Sequence, residues 1–102
     1  MYYNPTTAAN SIFTASTTGT NITDLIDFSD YDSGMNILTI KNEDASIAIR
    51  LLPGVAPTAT EGYLVKAGEE REFVGTSVKD WFIASASGTP KCSVLIGKRD
   101  RL

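Results

Sequence analysis

The residues of this chain best suited to catalysis or metal binding are four aspartates, Asp24, Asp27, Asp30 and Asp32, which fall within nine positions. Two carboxylates facing each other across a cleft are what a glycosidase needs, and a 102-residue chain of short strands rarely builds such a cleft. There is no histidine, which removes the commonest general base, the usual Ser or Cys triads and most zinc sites. We therefore expect no catalytic residues and no enzyme activity.

The same aspartates could bind calcium, which prefers carboxylate and carbonyl oxygens. The segment Asp30-Tyr-Asp-Ser-Gly34 resembles the first half of a calcium loop, but Lys41 stands near the place of the closing bidentate Glu. The alternative is a solvated loop in which the aspartates form local Asx turns. We predict that no metal or cofactor is bound, with Asp30 and Asp32 as the calcium candidates.

Aromatic and basic residues are the other candidates for binding. The aromatic ones are Trp81, Tyr63, Tyr31, Tyr2 and Tyr3. They could stack on a sugar, and the alternative is that Trp81 fills the core or a subunit interface, where aromatic side chains bury a large area. The last six residues contain three of the nine basic residues of the chain, either as a solubilising end or as a contact with an acidic neighbour. The interface candidates are Tyr2, Tyr3, Trp81, Lys98, Arg99 and Arg101.

Length and composition set limits on the fold and the partners. A chain of 102 residues has room for one domain. A net charge of −3 argues against a nucleic-acid partner, which usually meets a basic surface. The single cysteine excludes an intrachain disulfide and favours assembly in a reducing compartment. The first ten residues lack the features of a signal peptide, and no apolar run is long enough to span a membrane, so we expect no membrane partner.

Short apolar runs alternate with turn residues at nearly even spacing from residue 35 onward. Strands of this kind every eight to twelve residues are typical of a β-sandwich or barrel. We predict an all-β fold, a single antiparallel β-sandwich of jelly-roll or Ig-like type with an extended polar N-terminal arm. Residues 1–20 form the arm or first strand, and residues 21–102 form the sandwich of this one domain.

The period-two spacing assigns side chains to the core. The predicted core residues are Ile37, Ile47, Ile49, Leu64, Phe73, Phe82, Val94 and Ile96. Cys92 alternates with Val94 and is expected inside as a small apolar residue. The strand around Trp81 is apolar on both faces, which predicts either a central strand or one covered by a partner subunit. Charges on both sides of Phe73 predict an edge or half-exposed strand.

A family resemblance covers about residues 36 to 97. Its motifs are the Asn42 turn, Gly62-x-Leu64-x-x-x-Gly68-Glu69, Phe73, Trp81-Phe-Ile-Ala-Ser85, Ser87-Gly-Thr89 and Val94-Leu-Ile-Gly97. In this order they resemble the small β-sandwich structural proteins of tailed-bacteriophage virions, in which similar turns and an aromatic strand recur. The family has no catalytic residues to transfer.

The resemblance implies a structural role in the virion. The expected function is a capsid decoration or cement protein on the head surface, with a head-tail or tail adaptor or a head-fibre component as alternatives. It implies a homo-oligomer, a trimer in our interpretation, bound to a major capsid or other virion protein and assembled in the host cytoplasm. The alternative of another class is a carbohydrate-binding β-sandwich module, which would display Trp81 and the tyrosines in an exposed, coplanar strip.

Overall fold

The computed structural model describes residues 2–6, 12–26, 35–58 and 60–100. Within these ranges the chain forms nine β-strands and two short 3₁₀ turns. The strands are β1 (Tyr2–Thr6), β2 (Ile12–Thr14), β3 (Thr20–Asn21), β4 (Ile37–Asn42), β5 (Ile49–Pro53), β6 (Tyr63–Val65), β7 (Glu70–Val74), β8 (Trp81–Ser85) and β9 (Lys91–Asp100), and the 3₁₀ turns are Ile22–Asp24 and Val78–Asp80. The all-β prediction is confirmed.

The strands form two antiparallel sheets. Sheet I has the order β1-β9-β4-β7, with β2 also paired to β9, and sheet II has the order β3-β8-β5-β6. When β1 is set aside, the orders β2-β9-β4-β7 and β3-β8-β5-β6 are those of an eight-stranded jelly roll. Of the two sandwich types left open by the sequence, the strand order therefore corresponds to the jelly roll and not to the Ig-like arrangement.

The core lies between the sheets and is built by alternate residues of each strand. Sheet I contributes Leu38 and Ile40 from β4 together with Cys92, Val94 and Ile96 from β9. Sheet II contributes Ile49, Leu51, Val65, Trp81 and Ile83. Because successive side chains of a strand point to opposite faces, the residues between these positions lie on the outer faces of the sandwich.

The predicted core is correct on β5, β7 and β9 and wrong on β6 and β8. Ile49, Val94 and Ile96 belong to the buried cluster, and Phe73 packs against it while partly buried. Ile37 is buried but is not part of that cluster. Ile47, which precedes β5, is only half-buried, and Leu64 is half-buried on the outer face of β6 because Val65 takes the core position of that strand.

The face of β8 was predicted wrongly. Trp81 and Ile83 point into the core, so the half-buried Phe82 lies on the outer face. Both faces of this strand are apolar, and the spacing alone gave no preference between them. Of the two alternatives predicted for β8, a central strand or one covered by a partner subunit, the pairing agrees with the first, since β3 and β5 pair with its two sides.

Asn42, at the end of β4, is the polar residue that joins the two sheets. Its side chain is fully buried, and its amide nitrogen donates to the carbonyl oxygens of Ile47 at 2.7 Å and Val65 at 3.2 Å. Its side-chain oxygen accepts the N–H of Asp44 at 3.1 Å. Its backbone N–H donates to Glu69 O and its carbonyl accepts the N–H of Gly68, both at 2.9 Å. The buried amide is therefore fully hydrogen-bonded.

Candidate interaction surfaces

The structure assembles no acidic or metal-binding centre in the residues that it describes. Asp24 is exposed in the first 3₁₀ turn, while Asp27, Asp30 and Asp32 lie outside the described residues, so the calcium candidates stay predictions. Among the described residues, no three His, Cys, Asp or Glu side chains are placed to share a metal ion. The described helices are also too short and too polar to cross a membrane.

Asp44 and Cys92 are the described groups with clearly displaced pKa values. The carboxylate of Asp44 accepts the backbone N–H groups of Ser46 at 2.9 Å and Ile47 at 2.8 Å, and these bonds lower its pKa. This is the local Asx geometry of a turn rather than a catalytic setting. Burial raises the pKa of the Cys92 thiol to about 12, with a smaller contribution from Glu43 and Asp44. The thiol is fully buried, as predicted, and stays protonated at neutral pH.

Three aromatic rings meet where β6 of sheet II approaches β7 of sheet I. The Phe73 and Trp81 ring centroids are 4.7 Å apart, and Tyr63 lies 5.5 Å from Phe73 and 6.1 Å from Trp81. The guanidinium of Arg71 lies over the Phe73 and Tyr63 rings, at 5.2 and 5.9 Å from their centroids. It also donates to the carbonyl of Leu64 at 3.1 Å. Arg71 therefore connects β7 to β6 and closes this edge of the sandwich.

This cluster does not form the strip that a sugar platform needs. The three rings are inclined to one another by 42° to 57°. Trp81 is only 3% exposed, whereas Tyr63 is 49% exposed. Trp81 therefore packs into the core of its own chain and is not available at the surface as an interface residue.

The two ends of the chain pair with each other as neighbouring strands. Tyr2 lies opposite Asp100, Tyr3 opposite Arg99 and Asn4 opposite Lys98. Strand β4 pairs with β9 only as far as Gly97, so within the described part of the chain residues 98–100 have β1 as their sole strand partner. We call residues 2–4 and 98–100 the terminal ribbon. It brings together four of the six predicted interface residues, while Arg101 lies outside the described residues.

The outer edge of β1 is poorly suited to extend the sheet. In β9 the backbone N–H and C=O groups of odd-numbered residues point toward β4, as the bond from Glu43 N–H to Lys91 O shows. The backbone groups of even-numbered residues therefore point toward β1. The opposite residues of β1, including Asn4, therefore turn their backbone groups toward β9. Tyr3 and Pro5 turn theirs outward, and Pro5 has no N–H to donate. A proline at this position disfavours the pairing of a further strand with this edge.

The outer face of sheet II is partly covered by the segment 54–58, which follows β5, and by residues 60–62, which precede β6. Pro57 is buried, and a Cβ on Gly62 would lie 3.1 Å from the Pro57 Cβ. A cavity of about 140 Å³ remains beside this segment and is lined by Ala48, Arg50, Thr58, Leu64, Ala84, Ser85 and Ala86. The Arg50 guanidinium at this cavity already donates to the carbonyl of Gly62 at 3.0 Å. The cavity is smaller than the usual pocket for a small molecule, which starts at ~300 Å³.

The outer face of sheet I is open in the described residues and carries exposed apolar side chains. Leu95 on β9 is 50% exposed, Ile12 on β2 is 57% exposed and Val74 on β7 is 41% exposed. A shallow groove of about 260 Å³ runs beside Leu95, lined also by Thr39, Lys41, Glu70, Ser93 and Val94. Sequence analysis did not select this face, because its apolar residues come from strands far apart in the chain. The signal available in the sequence was that Val74 on β7 and Leu95 on β9 are apolar at positions that alternate with inward-facing residues.

Comparison with protein-family models, with curated proteins and with solved structures found no match to this chain.

Proposed function

We propose that this chain is a non-enzymatic structural protein of a tailed-bacteriophage virion, a decoration or cement protein that assembles as a homo-oligomer on the head surface. The observation that carries the proposal is the strand order β2-β9-β4-β7 against β3-β8-β5-β6. This jelly-roll architecture occurs in viral capsid domains, and also in lectin domains and cupins. Because one fold serves many functions, the surfaces must distinguish among these.

The surfaces favour assembly over catalysis and sugar binding. A cupin-type metal site needs clustered ligands, and the chain has no histidine to supply them. A sugar platform needs accessible aromatic faces, and Trp81 is buried. The terminal ribbon and the open face of sheet I are the features suited to contacts with other proteins. In this proposal the ribbon, with Lys98 and Arg99, meets an acidic surface of the major capsid protein or another virion protein.

The proposal is tested on virions of the phage that encodes the chain, assembled in the host cytoplasm. Mass spectrometry of purified particles should detect the chain, and electron microscopy of particles carrying a tagged copy should place many copies over the head. A few copies at one vertex would instead indicate a head-tail adaptor, and copies on projecting fibres would indicate a head-fibre component. Absence of the chain from the virions would contradict the proposal.

Attachment through the ribbon has its own test. A variant lacking residues 1–10 should keep the circular dichroism spectrum of a β-protein and bind less to particles that lack the native copy. The matched control is Lys66→Ala, which changes an exposed residue in the turn between β6 and β7 and should bind as the native chain does. Binding of glycans by the native chain, without binding to particles, would favour the carbohydrate-binding module.

A further inference from the structure

Strand β1 is an addition to a sandwich whose strand order is complete without it. The orders β2-β9-β4-β7 and β3-β8-β5-β6 account for all eight strands of the jelly roll. β1 pairs with residues 96–100 of β9, on the side of β9 away from β4. In the described part of the chain it has no other strand partner. Residues 96–100 therefore form an edge that accepts one strand, which we call the β9 edge.

The link between β1 and β2 is longer than this pairing requires. Both strands lie on the same side of β9, opposite the side that pairs with β4. β1 ends opposite Ile96 and β2 begins opposite Ser93, so only residues 94 and 95 of β9 separate the two pairings. An extended chain would cover them with two residues, but the link, residues 7–11, has five. Pairing within one chain therefore leaves three residues of the link in surplus.

The surplus allows β1 to reach beyond its own chain. The distance from Ile96 to Ser93 along β9 is ~10 Å, whereas the six residue steps from Thr6 to Ile12 can span ~20 Å when extended. β1 can therefore separate from the β9 edge while β2 stays paired. The backbone groups of the even-numbered residues in the β9 edge point toward β1. Without β1 they form an unpaired edge that can accept another strand.

The β1 strand of a second copy fits the β9 edge as well as the chain's own β1 does. The residues, the register and the hydrogen bonds are identical in the two cases, so exchange loses no pairing, and exchanging an identical element is a low-cost route to oligomers. Pro5 then limits the addition, because the outer edge of β1 disfavours a further strand. Each β9 edge therefore takes one β1, and the sheet grows no further.

Concentration decides which copy supplies the strand. A segment tethered by a few residues is held near its own partner at an effective concentration of about 1 mM. A dilute chain therefore pairs β1 with its own β9 edge, which is the arrangement in the structure. Where copies are packed side by side, the β9 edge of a neighbour competes for β1.

We propose that β1 is an exchangeable strand, which pairs with the β9 edge of a second copy when copies are concentrated. The inference rests on the homo-oligomeric part of the proposed function and names the segment that links the subunits. The occupant is β1 of the same chain, because its register on β9 is already built and its link has length to spare. The terminal ribbon is then formed by two copies instead of one.

The first test traps this register between two copies with a disulfide. Tyr3 and Arg99 form a non-hydrogen-bonded pair, whose Cα atoms lie ~4.5 Å apart, within the range of a disulfide. A Tyr3→Cys chain and an Arg99→Cys chain, both with Cys92→Ala, are refolded together at about 1 mM and oxidised. About a quarter of the Tyr3→Cys chains should become disulfide heterodimers. Near this concentration half of the β1 strands pair with another copy, and half of those copies carry Arg99→Cys.

The matched control mixes Tyr3→Cys with Val55→Cys, at a residue 59% exposed and remote from the β9 edge. It measures disulfides that form by random collision and should give few heterodimers. A single chain with both Tyr3→Cys and Arg99→Cys, oxidised in dilute solution, should give a cross-linked monomer. A heterodimer yield no higher than that of the Val55→Cys control overturns the proposal.

The second test removes the surplus of the link. Deleting residues 8–10 leaves two residues between β1 and β2, the number that matches β9. With this deletion in both chains of the mixture, β1 should stay on its own β9 edge and the heterodimer yield should fall toward that of the control. The circular dichroism spectrum should be unchanged, because the register of both strands is kept. A heterodimer yield that the deletion does not lower also overturns the proposal.

These outcomes are separable from those of the virion experiments. The disulfide tests need no particle, so a chain that is found on virions but never exchanges β1 would overturn the exchange and leave the virion role standing. A chain that exchanges β1 but is missing from virions would do the reverse.

Discussion

Asn42 shows how one buried side chain can hold two sheets together. Its amide nitrogen donates to two carbonyl groups, those of Ile47 and Val65, and the side chain is fully buried. Removing one partner of a buried hydrogen bond leaves the other unsatisfied, at about 1–3 kcal/mol for each group. The cost of replacing Asn42 should therefore exceed that of an ordinary surface polar residue.

We expect Asn42→Ala to lower the free energy of unfolding by about 2–5 kcal/mol, since two carbonyl groups lose their donor. Denaturant unfolding followed by tryptophan fluorescence measures this loss. Glu43→Ala, at the adjacent exposed residue, is the control and should change stability by less than about 0.5 kcal/mol. An equally small loss in Asn42→Ala would contradict the role assigned to the amide.

Cys92 gives a prediction of pH dependence. Its pKa is raised from the ordinary value of 9.0 to about 12 in the folded chain, chiefly by burial. Below pH 9 the thiol is protonated in both the folded and the unfolded chain, so it adds no pH dependence to the free energy of unfolding. Between pH 9 and 12 only the unfolded thiol ionises, so the free energy of unfolding should fall as pH rises, by at most about 1.4 kcal/mol per pH unit.

The measurement compares the native chain with Cys92→Ala in denaturant unfolding at several pH values. Lysines and tyrosines titrate in the same range, so the difference between the two slopes isolates the thiol. Equal slopes above pH 9 would show that the Cys92 thiol is not protected in the folded state.

At the scale of the elements, the segment 54–58 lies against the backbone at Gly19. A Cβ on Gly19 would lie 2.4 Å from the Cβ of Ala56, a separation that two carbon atoms cannot adopt. Gly19→Ala should therefore displace the segment or strain β3, and cost about 1–3 kcal/mol as overpacking does. Thermal unfolding measures the loss.

The double variant Gly19→Ala with Ala56→Gly is the control for this prediction, because it moves the methyl group from one side of the contact to the other. It should recover most of the lost stability. If the double variant is no more stable than Gly19→Ala alone, the contact between the two segments is not the cause.

The strands were largely predictable from the sequence, and their faces less so. Polar alternation distinguishes the two sides of β7, whose predicted position at a sheet edge is confirmed. It fails on β8, where Trp81 and Phe82 are both aromatic and only the packing between sheets chooses Trp81 for the core. Gly68 and Gly88 lie in the turns after β6 and β8 with φ of 78° and 57°, a backbone conformation that glycine adopts without strain.

The terminal ribbon and the apolar outer face of sheet I could not be predicted, because both depend on strand pairing. Tyr3 meets Arg99 and Ile12 meets Ser93 only through the register of β9. A sequence shows which residues alternate along a strand, but it does not show which strands become neighbours. For the same reason, the sequence left two sandwich types open, the jelly roll and the Ig-like arrangement.

For the whole molecule, we expect folding to need no metal ion. The prediction follows from the missing histidines and from the lack of a complete calcium loop around Asp30 and Asp32. Thermal unfolding in a chelator should give the same melting temperature as in buffer. A ligand that binds only the folded state must stabilise it, so a rise of several degrees on adding calcium, lost in Asp30→Asn with Asp32→Asn, would contradict the prediction.

The position of β8 and β9 in the sheets has a consequence for how the protein is made. Both are interior strands, yet they are the last two strands along the chain. A nascent chain that has reached only residue 80 can pair β4 with β7 and β5 with β6, while β1, β2 and β3 have no partner. Pairings of such long sequence separation form slowly. The growing chain should therefore emerge from the ribosome with these three strands unpaired, and pulse-labelled chains arrested before residue 91 should be digested by protease far faster than the full-length chain.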